Sequence, residues 1–168
     1  MLLAVVAAAV VGCPAANDLN TTASPCGPAD GLVVNVVDGD TVDLATGVRI
    51  RYLLVDTPEV PHSTAPDSCC FGPEAKELNT SLVLNQAVKL EYDQECQDHF
   101  GRTLAYVSLD ERMVNEILLE RGYARLEVIP PNEKHAADFE AIQAAAKAAD
   151  AGLWGACSTA ACPLGAFK

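Results

Sequence analysis

The chain has 168 residues, half of them hydrophobic, and carries 23 acidic against 11 basic side chains, a formal net charge of −12. This length accommodates one domain with a modest core rather than two, and the apolar fraction excludes a chain that stays disordered. The charge argues against sequence-independent binding to nucleic acid through a broad basic surface, because such binding needs cations that displace counterions. Any polyanionic ligand must therefore be held locally.

The chain begins with an apolar segment, MLLAVVAAAVV, which has the length of a signal-peptide core and is too short to span a bilayer as a helix. We expect residues 1–12 to be a signal peptide and the protein to be secreted, periplasmic or membrane-anchored, although no Lys or Arg precedes Arg49. Residues 10–13, VVGC, resemble the lipobox of bacterial lipoproteins, in which Cys13 would be lipidated and would form the one contact with a membrane. An ordinary secretory signal is the alternative. Residues 13–31 would be a tether.

Six further cysteines follow Cys13, and they are Cys26, Cys69, Cys70, Cys96, Cys157 and Cys162. An even set in an exported chain predicts three disulfides, whose pairing the sequence leaves open. A zinc site is disfavoured, because the sequence has no C-x-x-C pair and its three His residues are scattered.

The β-branched segment that starts at residue 32, LVVNVVDGDTVDL, is interrupted by Asp38-Gly39-Asp40 and predicts a hairpin. Residues 48–55, VRIRYLLV, alternate and then become apolar, which predicts a third strand with a buried second half. Residues 88–92 and 103–108 predict two further strands, joined by a polar link.

Three helices are predicted between and after these strands. After a long loop over residues 60–72, Pro73 opens a helix to about residue 84, and residues 114–121 form a short helix ended by Gly122. Asn132 is predicted to cap a longer helix to about residue 149. The inner face of that last helix would carry Phe139, Ile142, Ala146 and Ala149. This pattern predicts an α+β, mainly β fold, a five-stranded OB-fold barrel over residues 32–156, followed by a tail over 157–168.

Four acidic side chains stand at the ends of predicted strands. Asp38 and Asp40 lie in the first hairpin turn, and Asp56 and Glu59 follow the apolar end of the third strand. Acids at such places cost stability unless they share a cation, and oxygen ligands without Cys or His favour Ca²⁺ or Mg²⁺. Taken singly, each acid would also fit an ordinary turn or strand end.

Two arginines could hold a phosphate beside that cation. Arg51 lies on the third strand, five residues before Asp56 and on the opposite face by parity, so a twist or bulge must bring the two together. Arg102 follows Gly101 at the start of the last strand. The guanidinium fork matches phosphate oxygens bidentately, although a surface salt bridge is the alternative for either residue.

Six motifs follow one another along the chain: DGDTV from residue 38, RYLLVDTPE from 51, FGPEA from 71, FGRTLAY from 100, VN at 114–115 and GLW at 152–154. In this order and spacing, over about residues 32–155, they resemble staphylococcal nuclease and its thermonuclease relatives. The resemblance implies an OB-fold barrel with three helices and a Ca²⁺-dependent phosphodiesterase. It also implies action on DNA and RNA that leaves 3′-phosphate ends.

The same resemblance implies a set of metal ligands. Asp40 and Asp56 would bind Ca²⁺ through their carboxylates, and Thr57 would bind it through its main-chain carbonyl. Asp38 matches a nearby acidic position that supports the site.

The resemblance also implies catalytic residues. Glu59 would orient or deprotonate the attacking water, and Arg51 and Arg102 would hold the scissile phosphate. The expected partner is nucleic acid, single-stranded or a loosened duplex, bound by a monomer.

Two segments depart from the family pattern. Residues 127–132, EVIPPN, stand where the type member of the family has tyrosines, so an aromatic platform for a base is expected to be absent. His99-Phe100 replaces a Lys-Tyr pair, which removes a phosphate contact and a hydroxyl, and the loop over 60–72 has lost its lysines. We therefore expect weaker substrate binding, since stacking is worth about 1–3 kcal/mol per base.

A non-catalytic module of the same fold is the alternative function. Such a module would bind nucleic acid or protein and would keep a structural Ca²⁺ site, for instance in a surface lipoprotein. The joint presence of Glu59, Arg51 and Arg102 favours the enzyme.

Overall fold

The computed structural model describes residues 24–60 and 69–157. The predicted signal peptide, Cys13, Cys162 and most of the predicted C-terminal tail lie outside the described residues. No helix within the two described ranges is long and apolar enough to cross a membrane.

A closed barrel forms the centre of the fold. The strands are β1 (Asp30–Asp38), β2 (Thr41–Leu44), β3 (Arg49–Tyr52), β4 (Val55–Asp56), β5 (Ala87–Glu91), β6 (Thr103–Leu109), β7 (Arg112–Met113) and β8 (Arg125–Leu126). The main sheet has the order β3-β2-β1-β5-β6-β7 with antiparallel neighbours, and β3 also pairs with β6 in parallel. This last pairing closes five strands into a barrel, while β4 and β8 form a separate two-stranded ribbon. The predicted mainly β, OB-type barrel is confirmed.

Four helices pack against the barrel, namely α1 (Gly72–Val83), α2 (Val114–Glu120), α3 (Ala136–Ala148) and the short α4 (Leu153–Ala156). The barrel interior and these helices share one apolar core, because alternate side chains of the β-branched strands point inward. Asn115 is fully buried at the start of α2, where its amide accepts from the Val107 N–H (2.9 Å) and donates to the Leu53 carbonyl (2.8 Å). This side chain therefore joins α2 to β6 and to the turn that follows β3.

The predicted third strand is in fact two strands separated by a turn. β3 ends at Tyr52, and Leu53 and Leu54 form a turn in which Leu54 has a φ of 60°. The Leu53 N–H donates to the Ala105 carbonyl (2.9 Å) on the barrel, whereas the Leu54 carbonyl accepts from the Glu127 N–H (3.1 Å) on the ribbon. The chain thus passes from one sheet to the other here, and an unbroken strand was the wrong prediction.

The last long helix begins later than predicted. α3 starts at Ala136, and Asn132 does not cap it: its side chain accepts from the Glu95 N–H (2.8 Å) and donates to the Glu95 carbonyl (3.2 Å). Asn132 therefore holds the link between β5 and β6. Its side-chain amide bonds to the main chain of this distant segment instead of to the first turn of a helix.

The predicted inner face of α3 is confirmed at Phe139 and Ala146, which are buried, and Ile142 is half-buried against the core. Ala149 is exposed and ends the helix instead of packing inward, because α3 stops at residue 148. The prediction for Ala149 was wrong.

Two disulfides lie within the described residues. Cys26–Cys96 ties the segment before β1 to the link between β5 and β6, and Cys70–Cys157 ties the start of α1 to the end of α4. Cys69 is disulfide-bonded as well. These crosslinks join segments 70 and 87 residues apart in sequence, so they restrict the unfolded chain strongly.

Candidate active site

The turn between β1 and β2 presents the first carboxylates. Within it the Asp40 N–H donates to Asp38 Oδ1 (3.1 Å), and Asn79 of α1 donates to the Asp38 carbonyl (3.1 Å). Asp40 is buried, and its Oδ2 accepts from both the N–H (2.8 Å) and the hydroxyl (3.1 Å) of Thr57. A Cβ at Gly39 would stand 2.7 Å from the Thr57 side chain, so only glycine allows the turn to approach the end of β4 this closely.

Arg51 contacts the carboxylates of both candidate metal ligands, Asp40 and Asp56. Its Nη1 lies 3.2 Å from Asp40 Oδ2 and its Nη2 lies 3.1 Å from Asp56 Oδ1. Nη1 also donates to the carbonyls of Tyr52 (2.8 Å) and Val55 (2.5 Å), on either side of the Leu53–Leu54 turn. That turn, rather than a twist or bulge in a continuous strand, brings Arg51 to the side of Asp56.

The Arg51 guanidinium stays charged despite its burial. Burial disfavours the charged form, but the carboxylates of Asp40 and Asp56 raise the pKa of Arg51 above its usual value. The group is therefore a fixed cation at the centre of a cluster of acids.

Arg102 is held in place by a carboxylate that the sequence analysis did not single out. Asp98 Oδ1 accepts from the N–H groups of Phe100 and Arg102 (both 2.9 Å), and Asp98 Oδ2 accepts from Arg102 Nε (2.6 Å). Gly101, with a φ of +79°, allows the turn that brings these groups together. The burial of Asp98 favours its neutral form, but the bonds from Arg102 outweigh this and hold the pKa of Asp98 below its usual value. An Asp four residues before an Arg, with Gly between, was the available signal.

A second unanticipated group is Glu127, which directly follows β8. Its Oε2 lies 3.5 Å from Arg51 Nη2, and its side chain is 41% exposed. In the sequence this position stood out only as part of a departure from the family pattern, because the two-residue strand before it is too short to give a periodic signal. Arg51 thus faces three carboxylates.

The predicted site residues converge on one small cavity. It is lined by Asp38, Asp40, Arg51, Asp56, Thr57, Pro58, Glu59 and Arg102. All six residues predicted to be catalytic or metal-binding are in this set. A larger cavity of about 400 Å³ adjoins it and shares Arg51 and Arg102 with it.

The cavity has more acid than Arg51 can neutralise. Burial, and then the charge of Asp40, raise the pKa of Asp38 to about 7. Burial also raises the pKa of Asp56 to about 8, because the opposing effect of Arg51 is offset by Asp40, Glu127 and Glu59. A divalent cation at these oxygens would favour their ionised forms.

The chemistry of the donor set fits a hard cation. Asp40, Asp56 and the Thr57 carbonyl offer oxygen only, which suits Ca²⁺ or Mg²⁺. Within residues 24–60 and 69–157 no three His, Cys, Asp or Glu side chains gather as a complete metal site. Water would therefore have to supply the rest of the ~6–8 oxygen ligands that Ca²⁺ takes.

Comparison with known proteins shows that the sequence is similar to those of nucleases. The family described as "Staphylococcal nuclease homologue" matches residues 49–156, a range that includes Arg51, Asp56, Glu59 and Arg102 and begins after Asp40. A thermonuclease from Staphylococcus intermedius is 38% identical over 126 residues, which cover 73% of this chain and 74% of that relative.

Two further relatives agree with this. A thermonuclease from Staphylococcus hyicus is 37% identical over 125 residues, which cover 73% of each chain. Endonuclease YncB from Bacillus subtilis (strain 168) is 38% identical over 125 residues, which cover 70% of this chain and 58% of that relative.

Proposed function

Because the chain belongs to the staphylococcal nuclease family, we propose that it is an exported, Ca²⁺-dependent endonuclease that hydrolyses DNA and RNA and leaves 3′-phosphate ends. Hydrolysis of phosphodiester bonds is the activity that the names of its relatives share. The observation that carries the proposal is the small cavity, in which three aspartates and two arginines lie beside Glu59. Such a set can neutralise the charge that builds on phosphoryl oxygens.

The two arginines bind and orient the scissile phosphate. Arg102 offers its Nη groups to the non-bridging oxygens, because Asp98 holds it through Nε. Both Nη groups of Arg51 already contact protein oxygens, namely the carbonyls of Tyr52 and Val55 and the Asp56 carboxylate, so Arg51 acts on the phosphate through its fixed positive charge. A cation held by Asp40 and Asp56 supplies Lewis-acid polarisation of the phosphate when bound. The substrate phosphate is then received by charges that are already in place.

Glu59 acts on the attacking water. Glu59 follows Thr57 and Pro58 and lines the cavity, and its main chain packs against Gly72, where an added Cβ would collide with the Glu59 carbonyl. Its carboxylate orients the water and accepts a proton from it, a contribution of typically ~10²–10⁴-fold. The water oxygen bonds to phosphorus as the bond from phosphorus to the 5′-oxygen breaks. The 5′-oxygen leaves with that electron pair and takes up a proton from solvent, and the phosphate remains on the 3′ side.

Substrate choice and location follow from charge and from the crosslinks. With a net charge of −12 the protein binds few phosphates, so a flexible single strand or a loosened duplex can reach the recessed cavity better than a rigid duplex.

The disulfides Cys26–Cys96 and Cys70–Cys157 support an oxidising compartment and therefore export. Mass spectrometry of the mature N-terminus tests both the cleavage of the leader and the lipid on Cys13.

A cleavage assay tests the proposed activity. Denatured DNA is incubated with wild type in Ca²⁺ or in EGTA, and with Glu59→Gln and Arg102→Ala. We expect cleavage only with Ca²⁺, 3′-phosphate products, and a loss of at least ~10²-fold in each variant, because each lacks one catalytic group. Glu120→Gln and Arg112→Ala, which alter an exposed ion pair on another part of the surface, serve as matched controls with the same changes of charge.

Two outcomes would contradict the proposal. Variants as active as wild type would refute the assigned roles of Glu59 and Arg102. A folded wild type that binds Ca²⁺ and nucleic acid but cleaves nothing would favour the non-catalytic module instead.

A further inference from the structure

The main chain of Glu59 is held by the segment that leads into α1. The Cys69 N–H donates to the Glu59 carbonyl (2.9 Å), and the Gly72 N–H donates in turn to the Cys69 carbonyl (3.0 Å). Gly72, the first residue of α1, also packs on Glu59 so closely that an added Cβ would collide with its carbonyl group. The place of Glu59 in the cavity is therefore set by residues 69–72.

This same segment carries a crosslink. Cys70 forms a disulfide with Cys157, which ends α4. Phe71, the next residue, has a left-handed backbone with a φ of 74°, a conformation that a bulky residue adopts only where its surroundings impose it. Without the disulfide, the segment could relax to a more favourable backbone and withdraw from Glu59.

The other end of the crosslink is anchored in the helical part of the fold. The Leu153 N–H donates to the carbonyl of Gly122, which follows α2 (2.8 Å), and the Cys157 N–H donates to the Leu153 carbonyl (3.0 Å). The Leu153 side chain is buried, and the chain at Gly152 approaches Gly122 too closely to admit a Cβ. The disulfide thus ties the support of Glu59 to a fixed point of the core.

We propose that the Cys70–Cys157 disulfide positions Glu59 for its action on the attacking water, so that the enzyme reaches full turnover only in its oxidised form. The inference rests on the proposed function. In reduction, a dithiol gives two electrons and two protons to the sulfurs of Cys70 and Cys157, the S–S bond breaks, and the dithiol becomes a disulfide. Both cysteines are half-buried, so a small dithiol can reach them.

Export would therefore change the activity of the chain. In a reducing compartment, where thiols stay reduced, the chain would be a weak nuclease. In an oxidising compartment, a disulfide donor would take the two electrons and two protons from the thiols, and the crosslink would bring Glu59 into place.

The test removes one crosslink at a time. Cys70→Ser/Cys157→Ser is compared with Cys26→Ser/Cys96→Ser, a matched control that opens a loop of similar length, 70 against 87 residues, elsewhere in the fold. Both double variants should lower the midpoint of urea unfolding to a similar extent. Only the first should lower kcat, by about 10- to 100-fold with KM and Ca²⁺ affinity unchanged, since a shift of ~1 Å at a reacting group can cost ~10²-fold.

A double-mutant cycle separates positioning from a general loosening of the fold. In a Glu59→Gln background, loss of the Cys70–Cys157 crosslink should leave kcat unchanged, because the group that it positions is already absent. Dithiothreitol should lower kcat of wild type and of the Cys26→Ser/Cys96→Ser control, and reoxidation should restore it. Alkylation and mass spectrometry count the thiols in each sample.

Hydrogen exchange at the Cys69 amide gives a measure that needs no activity. This N–H bonds to the Glu59 carbonyl, so its exchange should quicken in Cys70→Ser/Cys157→Ser and not in the control.

Three results would overturn the positioning role: unchanged exchange at Cys69, equal kcat in the two double variants, or full kcat in a folded and fully reduced wild type. The proposed function would stand in each of these cases if wild type cleaves. A wild type that cleaves nothing would refute the proposed function, while exchange at Cys69 would still decide whether the crosslink holds Glu59.

Discussion

Removing the Glu127 carboxylate should strengthen substrate binding. Glu127 Oε2 lies 3.5 Å from Arg51 Nη2, on the guanidinium that the proposed mechanism offers to the scissile phosphate. A bound phosphate must share Arg51 with this carboxylate and is repelled by it. Glu127→Gln keeps the shape of the side chain and removes the charge, so the change isolates the electrostatic effect.

The size of the effect follows from the geometry. Two unit charges at 3.5 Å interact by about 1 kcal/mol in water and by about 5 kcal/mol at an effective dielectric constant of ~20. The lower value applies because the Glu127 side chain is 41% exposed and therefore screened by solvent and salt. We expect the KM of Glu127→Gln to fall about 5-fold, since ~1 kcal/mol corresponds to that ratio.

The assay measures KM and kcat on a short single-stranded oligonucleotide at saturating Ca²⁺, at low and at high salt. Glu120→Gln is the control, because it removes one negative charge from an exposed pair with Arg112 and so changes the net charge equally. The difference between the two variants should shrink as salt rises. A Glu127→Gln variant with unchanged or raised KM would refute the reasoning, and it would mean that Glu127 positions Arg51 for the substrate.

Three further predictions concern stability. Asn115→Ala should lower the free energy of unfolding in urea by about 2–4 kcal/mol, because two buried main-chain groups lose their partner, whereas exposed Asn35→Ala should cost far less; equal losses would contradict the role of Asn115. Replacing both Cys26 and Cys96 by Ser should cost about 2–4 kcal/mol in the same experiment, and an unchanged midpoint would show that this crosslink adds nothing. Since the pKa of Asp98 is lowered in the folded state, its stabilisation is complete above its unfolded pKa and is lost as pH falls through the folded value. Acid titration should therefore show a shallower loss of stability for Asp98→Asn than for wild type, and parallel curves would count against this.

The sequence predicted those parts of the candidate site that are marked within one short segment or by several motifs occurring together. The Asp38-Gly39-Asp40 segment has the residue types of a turn, and in the structure Gly39 packs closely against Thr57, whose N–H donates to Asp40. The apolar end of the third strand marked Asp56 and Glu59 as acids next to a core. The number of strands and the order of the helices predicted the barrel, because the alternation of apolar residues in strands and their helical period can be recognised in a single sequence.

The remaining features depend on contacts between distant segments. Leucine rarely adopts a positive φ, so the turn at Leu53–Leu54 that joins Arg51 to Asp56 has no sequence signature. The two-residue strands β7 and β8 are too short for a periodic signal, and Glu127 reaches Arg51 only through the ribbon of β4 and β8. Asn132 had the residue type of a helix cap but lies closer to the main chain of Glu95, and tertiary contact overrode the local preference.

The most direct measurement of the central claim is a single Ca²⁺ titration of EGTA-treated protein, in which cleavage of a single-stranded oligonucleotide and Ca²⁺ binding by calorimetry are followed in the same buffer. Cleavage should rise from background in step with the occupancy of one site, and both should be lost in a folded Asp56→Asn variant. Full-rate cleavage in the chelator, or Ca²⁺ binding that does not need Asp56, would contradict a catalytic centre built on that carboxylate.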